Sequence, residues 1–462
     1  MTPVDRSRLP AVGPDPLFVF PAIRRAALPN GLAVWTVERR GLPVLSILLL
    51  LPAGSAADPQ DRPGLAAMTA DMLDEGSGAR SALEIEDAFA RMGANLATEI
   101  GPDATTLSLT TMSRHAGRAL DLLADCVARP RLDAADVARV RDLRASRVAQ
   151  QRDMPSMLAD RAFARLVYGE HPYGHLSAGT ERALRAIGVD EVDAFHRQAF
   201  VPAGATLIVV GDLDHENLAG LAAGSFGNWG QAPSLPPEAH QDAPLACPGD
   251  PQPPGVRLAV VPRAGAPQSE LRIGHLGARR VTPDYHALLV LNAVLGGQFV
   301  SRLNMNLRED KGFTYGVRSS FDFRRGRGPF VIQLGVATSA TVEAVREALA
   351  EIAAIRGPRP ATAHELAVAR ASLTRGYPRG FETTEQIARA AAQMALHGLP
   401  ADHFEQFMPS VGRVDERDVG AAAAAHLSPS QAVVAIVGDD RQFAADLGSL
   451  GLGEPAVVAA AD

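Results

Sequence analysis

Arg308 and Tyr315 stand seven residues apart in the stretch Gly-Gly-Gln-Phe-Val-Ser-Arg-Leu-Asn-Met-Asn-Leu-Arg-Glu-Asp-Lys-Gly-Phe-Thr-Tyr, residues 296–315. Arginine is a permanent cation with forked donors, and a phenol with a pKa near ~10 stays protonated at neutral pH, so both remain hydrogen-bond donors. Neither creates a nucleophile. On spacing alone Arg308, beside Glu309 and Asp310, reads as a solvated charge, and Tyr315 as a sheet residue with its hydroxyl at the rim.

Other polar groups offer less. Asp71, Asp74 and Glu75 cluster at the end of one apolar-striped segment, but hard cations take more oxygens than one helical face presents, so a solvated acidic face is expected. His215-Glu216 and His364-Glu365 each begin like a zincin motif without a second His at the fourth place. His171 and His175 are separated by Pro172 and Gly174, which make a turn and keep the two imidazoles off a common helical face. Cys126 and Cys247 are too few and too far apart for a disulfide framework or a zinc cluster, so free thiols are expected. No nucleophile elbow, P-loop or dinucleotide fingerprint occurs.

The stretch 296–315 resembles the second-half signature of the M16 (pitrilysin-like) zinc peptidases: a Gly-Gly turn, a Ser-Arg-Leu helix, then an Arg and a Tyr seven residues on. Leu28-Pro29-Asn30-Gly31-Leu32 resembles the start of that family, and Gly64-Leu65-Ala66 its entry to a His-x-x-Glu-His helix. Carried over residue by residue, the first His falls on Ala67, the Glu on Ala70 and the second His on Asp71. The third ligand, a Glu before an Asp-x-Pro-like turn, falls on Arg147, ahead of Asp153-Met154-Pro155. Methyl groups offer zinc no lone pairs or general base, and a guanidinium repels the ion. The resemblance implies that Tyr315 stabilises the oxyanion of a tetrahedral intermediate and that Arg308 holds a substrate carbonyl, both at a zinc site belonging to another chain.

Two domains are expected from 462 residues. Eight prolines between 233 and 254 mark a semi-rigid linker at 232–255, separating an N-terminal domain at 16–231 from a C-terminal one at 256–455. The halves repeat. Val189-Asp190-Glu191 opens a helical segment, and Ala205 to Asp212 reads as a buried strand ending Gly-Asp; Val414-Asp415-Glu416 and Ala432 to Asp439 match them at offsets of 225 and 227 residues. Val44–Leu51, Ala104–Thr111 and Phe330–Val336 read as strands. Gly64–Asp74, Ala116–Ala128 and Asp136–Gln151 read as helices. The expected fold class is α+β: two homologous domains, each with a mixed, largely antiparallel sheet covered on one face by helices, together half of a clam-shell.

A net charge of −7 with 21% charged residues supplies no basic field, so nucleic acid is not an expected partner. Leu45–Leu51 is far shorter than the ~20 residues of a membrane span, and no signal-peptide core precedes Leu17, so a cytoplasmic protein without a membrane partner is the default expectation. The resemblance implies a zinc-less subunit of a zinc metalloendopeptidase, inactive alone and binding no cofactor itself. It would pair as a heterodimer with a His-x-x-Glu-His sister subunit that holds the zinc, and act on a peptide or unfolded polypeptide. The alternatives are a purely structural core subunit and a stand-alone peptide-binding protein.

Overall fold

The structure, a computed structural model, describes residues 18–230, 249–252 and 255–459. The proline-rich stretch at 232–255 lies outside the described residues except for 249–252 and 255, as does Cys247.

The strands are β1 Arg24–Ala27, β2 Ala33–Glu38, β3 Val44–Leu51, a short hairpin of β4 Gly76–Ser77 and β5 Arg80–Ser81, β6 Ala97–Ile100, β7 Thr105–Met112 and β8 Thr206–Gly211. In the second half come β9 Leu258–Pro262, β10 Gln268–Leu276, β11 Thr314–Phe321, β12 Pro329–Ala337, β13 Val433–Gly438 and β14 Ala456–Val457. They form two six-stranded sheets, ordered β1-β2-β8-β3-β7-β6 and β11-β12-β10-β13-β9-β14. Read from opposite ends these orders correspond, and the two Gly-Asp repeats become β8 and β13, each parallel to one neighbour (β2 and β9) and antiparallel to the other (β3 and β10). The edges opposite β6 and β11 differ. β1 pairs antiparallel to β2, whereas β14 arrives from the far end of the chain and runs parallel to β9.

Each sheet has its own core against the helices of its own half. The expectation of one covered face is incomplete, because helices were exchanged. Helix Pro155–Tyr168 of the first half lays Leu158, Ala159, Ala162 and Phe163 on Val261, Val331, Val433, Ala435 and Val437 of the second sheet. Helix Thr384–His397 of the second half returns the arrangement, placing Ile387, Ala388, Ala391, Ala392 and Met394 on Leu48, Leu50, Ile208 and Val210 of the first. The reason is visible in β3: Leu45, Ile47, Leu49 and Leu51 face the first core, and Leu48 and Leu50 would otherwise meet water. Each such aliphatic side chain contributes about 2 kcal/mol on burial. Thr383 caps the exchanged helix in a capping box with Gln386, and Gly398 ends it at φ +60°, where a Cβ is disfavoured.

Candidate functional site

Helix Leu65–Asp71 begins at Gly64, held at φ +100° where it crosses close to Gly179. The buried Asp58 carboxylate accepts from Gly64 N (2.7 Å) and Ala66 N (2.6 Å), and His175 Nε2 donates to it at 3.0 Å. His175 therefore anchors the start of this helix. His171, its neighbour in sequence, instead meets the Gly249 carbonyl through Nε2 at 2.8 Å.

Ala67 and Ala70 are each 1% exposed, so methyl groups fill these positions. Asp71 is paired with Arg144 of helix Ala134–Gln151, Nη1 to Oδ2 at 2.5 Å. Arg147, one turn further on, is exposed. Sequence reasoning missed Arg144, since nothing in an arginine-rich helix marks which guanidinium turns inward. The acidic cluster is not the solvated face expected of it: Glu75 is paired with Arg139, and burial, then Glu75, raises the Asp74 pKa to about 6. Among the described residues no group of three His, Cys, Asp or Glu side chains is placed to hold a metal ion. With two methyls, a carboxylate already neutralised and an arginine, the positions at 67, 70, 71 and 147 do not fit Zn²⁺.

The second half builds a different site. The turn at Gly296-Gly297 presses on β11; a Cβ at Gly296 would lie 2.5 Å from Ser319 Oγ, and one at Gly297 2.7 Å from Asn292 Nδ2. This closeness lets Ser319 N donate to Gly296 O (3.1 Å) and Ser319 Oγ to Asn292 Oδ1 (2.8 Å). Asn304 completes the seal. Its Nδ2 donates to Val317 O at 2.9 Å and its Oδ1 accepts from Val317 N at 3.2 Å, so one side chain takes the place of a neighbouring strand along the outer edge of β11.

Arg302, the arginine of the Ser-Arg-Leu signature, is 8% exposed and points inward. It forks onto Glu365 (Nε–Oε1 2.6 Å, Nη2–Oε2 2.8 Å) and donates to the carbonyls of Arg359 and Pro360. The chain then runs through a π-helical turn, Met305–Asp310, a widened geometry often found at functional sites. Asn306 fixes that turn by donating to Glu347 and Glu351, both at 2.9 Å, and Lys311 pairs with Glu347. Gly312, at φ +64°, turns the backbone into β11.

On this bolted turn Arg308 faces outward. Its guanidinium lies 4.6 Å from the Phe299 ring centre and 5.4 Å from that of Tyr315, and its Nε is 3.4 Å from Glu309. A one-residue bulge between Thr314 and Val317 throws Tyr315 out of the sheet, leaving it 92% exposed. Tyr315 is thus no packed rim residue. Beside the pair opens a cleft of about 480 Å³ lined by Phe299, Gly316, Arg318, Gln333, Gly335, Glu270 and Arg272. The structure brings Arg308 and Tyr315 together, and no residue of helix Leu65–Asp71 enters their cleft.

Residues 34–180 match the family described as insulinase (peptidase family M16), and residues 186–373 match the peptidase M16 inactive domain. The chain belongs to the M16 peptidase family. Among its M16 relatives, an uncharacterized zinc protease of Mycobacterium tuberculosis is 25% identical over 420 residues, 90% of this chain and 93% of that one. An uncharacterized zinc protease of Bacillus subtilis is 24% identical over 336 residues, 71% of this chain and 78% of its own length. The crystal structure of a peptidase M16 inactive domain from Pseudomonas fluorescens superposes with a TM-score of 0.82 at 28% identity, covering 90% of this chain and 98% of that one. A protease from Helicobacter pylori shares the M16 fold, with a TM-score of 0.82 at 18% identity over 91% of this chain and all of its own. No helix among the described residues is long and apolar enough to cross a membrane.

Proposed function

We propose that this chain is the zinc-less subunit of a two-chain M16 metallopeptidase. It contributes half of a clam-shell chamber, built from domains at 16–231 and 256–455, while a sister subunit with His-x-x-Glu-His contributes the metal. The observation that carries this reading is an asymmetry: Arg308 and Tyr315 are displayed on a braced π-helical turn and bulge, whereas Ala67, Ala70 and the Asp71–Arg144 pair offer no metal site. An aromatic ring 92% exposed contributes almost nothing to its own fold, which suits a residue whose partner arrives from outside.

The chemistry follows from donor positions. The Tyr315 hydroxyl donates to the oxyanion that forms when water attacks a peptide carbonyl in the sister's site, and the Arg308 fork holds a neighbouring substrate carbonyl. One such donor lowers the barrier by about 3 kcal/mol. Tyr315→Phe is therefore expected to lower kcat by roughly a hundredfold with assembly unchanged, measured by cleavage of an unfolded peptide and by size-exclusion chromatography of the mixed subunits. Unchanged turnover would leave the chain a scaffold.

Purified alone, the chain is expected to carry no stoichiometric zinc and to cleave nothing. Elemental analysis after dialysis checks the first point, and zinc-dependent cleavage by the chain alone would overturn the assignment.

A further inference from the structure

We propose that the trough beside Arg308 receives an acidic side chain of the bound peptide, with Arg318 as the residue that selects it. This rests on the peptide-handling reading above and adds a substrate class to it.

The trough is a product of register. Arg318 on β11, Gln333 on β12 and Arg272 on β10 lie in one cross-strand row. In the next row Glu270 stands opposite Gly335, which faces the bulge that carries Tyr315 and Gly316. Glycine at 316 leaves open space, with nothing within 4 Å of where its Cβ would be, whereas a Cβ at Gly335 would lie 3.0 Å from Glu270 Oε2, so that glycine makes room for the Glu270 carboxylate. Phe299 and Arg308 line the same cleft as the guanidinium row.

Its lining carries three guanidiniums, Arg272, Arg308 and Arg318, against one carboxylate, Glu270. Two of the three are already matched. Arg272, 4% exposed, is gripped by Asp160 (2.6 Å) and Glu270 (2.9 Å), and Arg308 faces Glu309. Arg318 is exposed, and its guanidinium has no hydrogen-bond or ion-pair partner among the described residues. A forked donor without a carboxylate, beside the space left open at Gly316, matches an Asp or Glu side chain in charge and in geometry. Arg318 lies three residues from Tyr315, about 10 Å along the strand, so the acidic residue falls within about three residues of the bond presented to the sister's zinc.

The test uses three fluorescent, extended peptides of Ala, Ser and Val that differ only at one central residue, Glu, Gln or Lys. Binding to the whole chain is followed by anisotropy at low salt. A charge-assisted fork against a neutral hydrogen bond predicts that the Glu peptide binds about tenfold tighter than the Gln peptide, with the Lys peptide weakest and the preference shrinking as salt rises. Arg318→Gln is expected to level the three, and Arg318→Glu to favour Lys; because Arg318 is exposed, both variants should unfold at the same temperature as the parent. Equal affinity for all three peptides, or a Glu preference that survives Arg318→Gln, overturns the proposal while leaving peptide binding intact. Binding of none of them sinks the peptide-handling reading and the acidic pocket together.

Discussion

Arg302→Ala is expected to destabilise the protein by about 3 to 5 kcal/mol, the range for removing one partner of a buried ion pair. Arg302 is 8% exposed, and its guanidinium is satisfied by both oxygens of Glu365 and by the carbonyls of Arg359 and Pro360. Alanine leaves a half-buried carboxylate and two carbonyls without their donor. Arg302→Lys keeps the charge but loses the fork, so an intermediate loss is expected. Urea unfolding at pH 7 measures both, and a loss below about 1 kcal/mol for the alanine variant would show the network to be unimportant.

The same pair leaves a mark in acid. Hydrogen bonding from Arg302, the largest effect, holds the Glu365 pKa down to about 2. A depressed carboxylate contributes stability that is complete above its unfolded pKa and is lost as pH falls through the folded one, so this contribution fades between about pH 4.5 and 2. The variant should lack that part of the acid transition.

Arg302 also shows where sequence reading stops. Arg302 and Arg308 lie six residues apart in one motif, and types and spacing do not say that the first braces the fold while the second faces the cleft; only Glu365, sixty-three residues on, decides it. The strands were legible because apolar runs such as Val44–Leu51 need no distant partner to be recognised. The repeated Gly-Asp strands foretold two matching sheets for the same reason. The exchanged helices were not legible, because Ile387 covers Leu48 across more than three hundred residues and its stripe suits either sheet. Asn304 escaped notice since an asparagine after a helix start is usually a local cap, whereas here it lines a strand edge. In the first half, the methyl groups of Ala67 and Ala70 could be read directly, but the side-chain direction that sets Arg144 against Asp71 depends on how two helices pack.

Acidification from pH 7 to about 4.5 is expected to loosen the junction at which helix Thr384–His397 leaves the second half for the first sheet. His286, His397 and His403 gather there around Arg280, which is 9% exposed and stacked 3.7 Å over Tyr285. Arg280 Nη2 donates to His403 Nε2 at 2.8 Å, which requires a neutral imidazole. His286 Nε2 and His397 Nδ1 are buried without a hydrogen-bond partner. Burial first, and Arg280 second, lower all three pKa values, those of His397 and His403 to about 4. Arg413 adds to this at His286, His286 at His403 and Arg325 at His397, while Asp103 opposes it at His397 and Asp402 at His403. A histidine depressed in the fold leaves stability untouched above about pH 6.5 and removes it as pH falls toward 4, because the unfolded chain takes up the proton first. Two histidines shifted this far, partly reached by solvent and sharing Arg280, correspond to on the order of 1 to 2 kcal/mol each at pH 4.5. Asp74, raised to about 6, acts with the opposite sign and stabilises the fold as pH drops, so the histidine effect is best read as a difference between proteins. Urea unfolding of the parent and of His397→Gln/His403→Gln, compared from pH 7.5 to 4.5, supplies it. Glutamine keeps an acceptor for Arg280 but takes up no proton, so the variant's stability should fall less steeply with acid. Parallel pH profiles for the two proteins would assign the acid response to other groups.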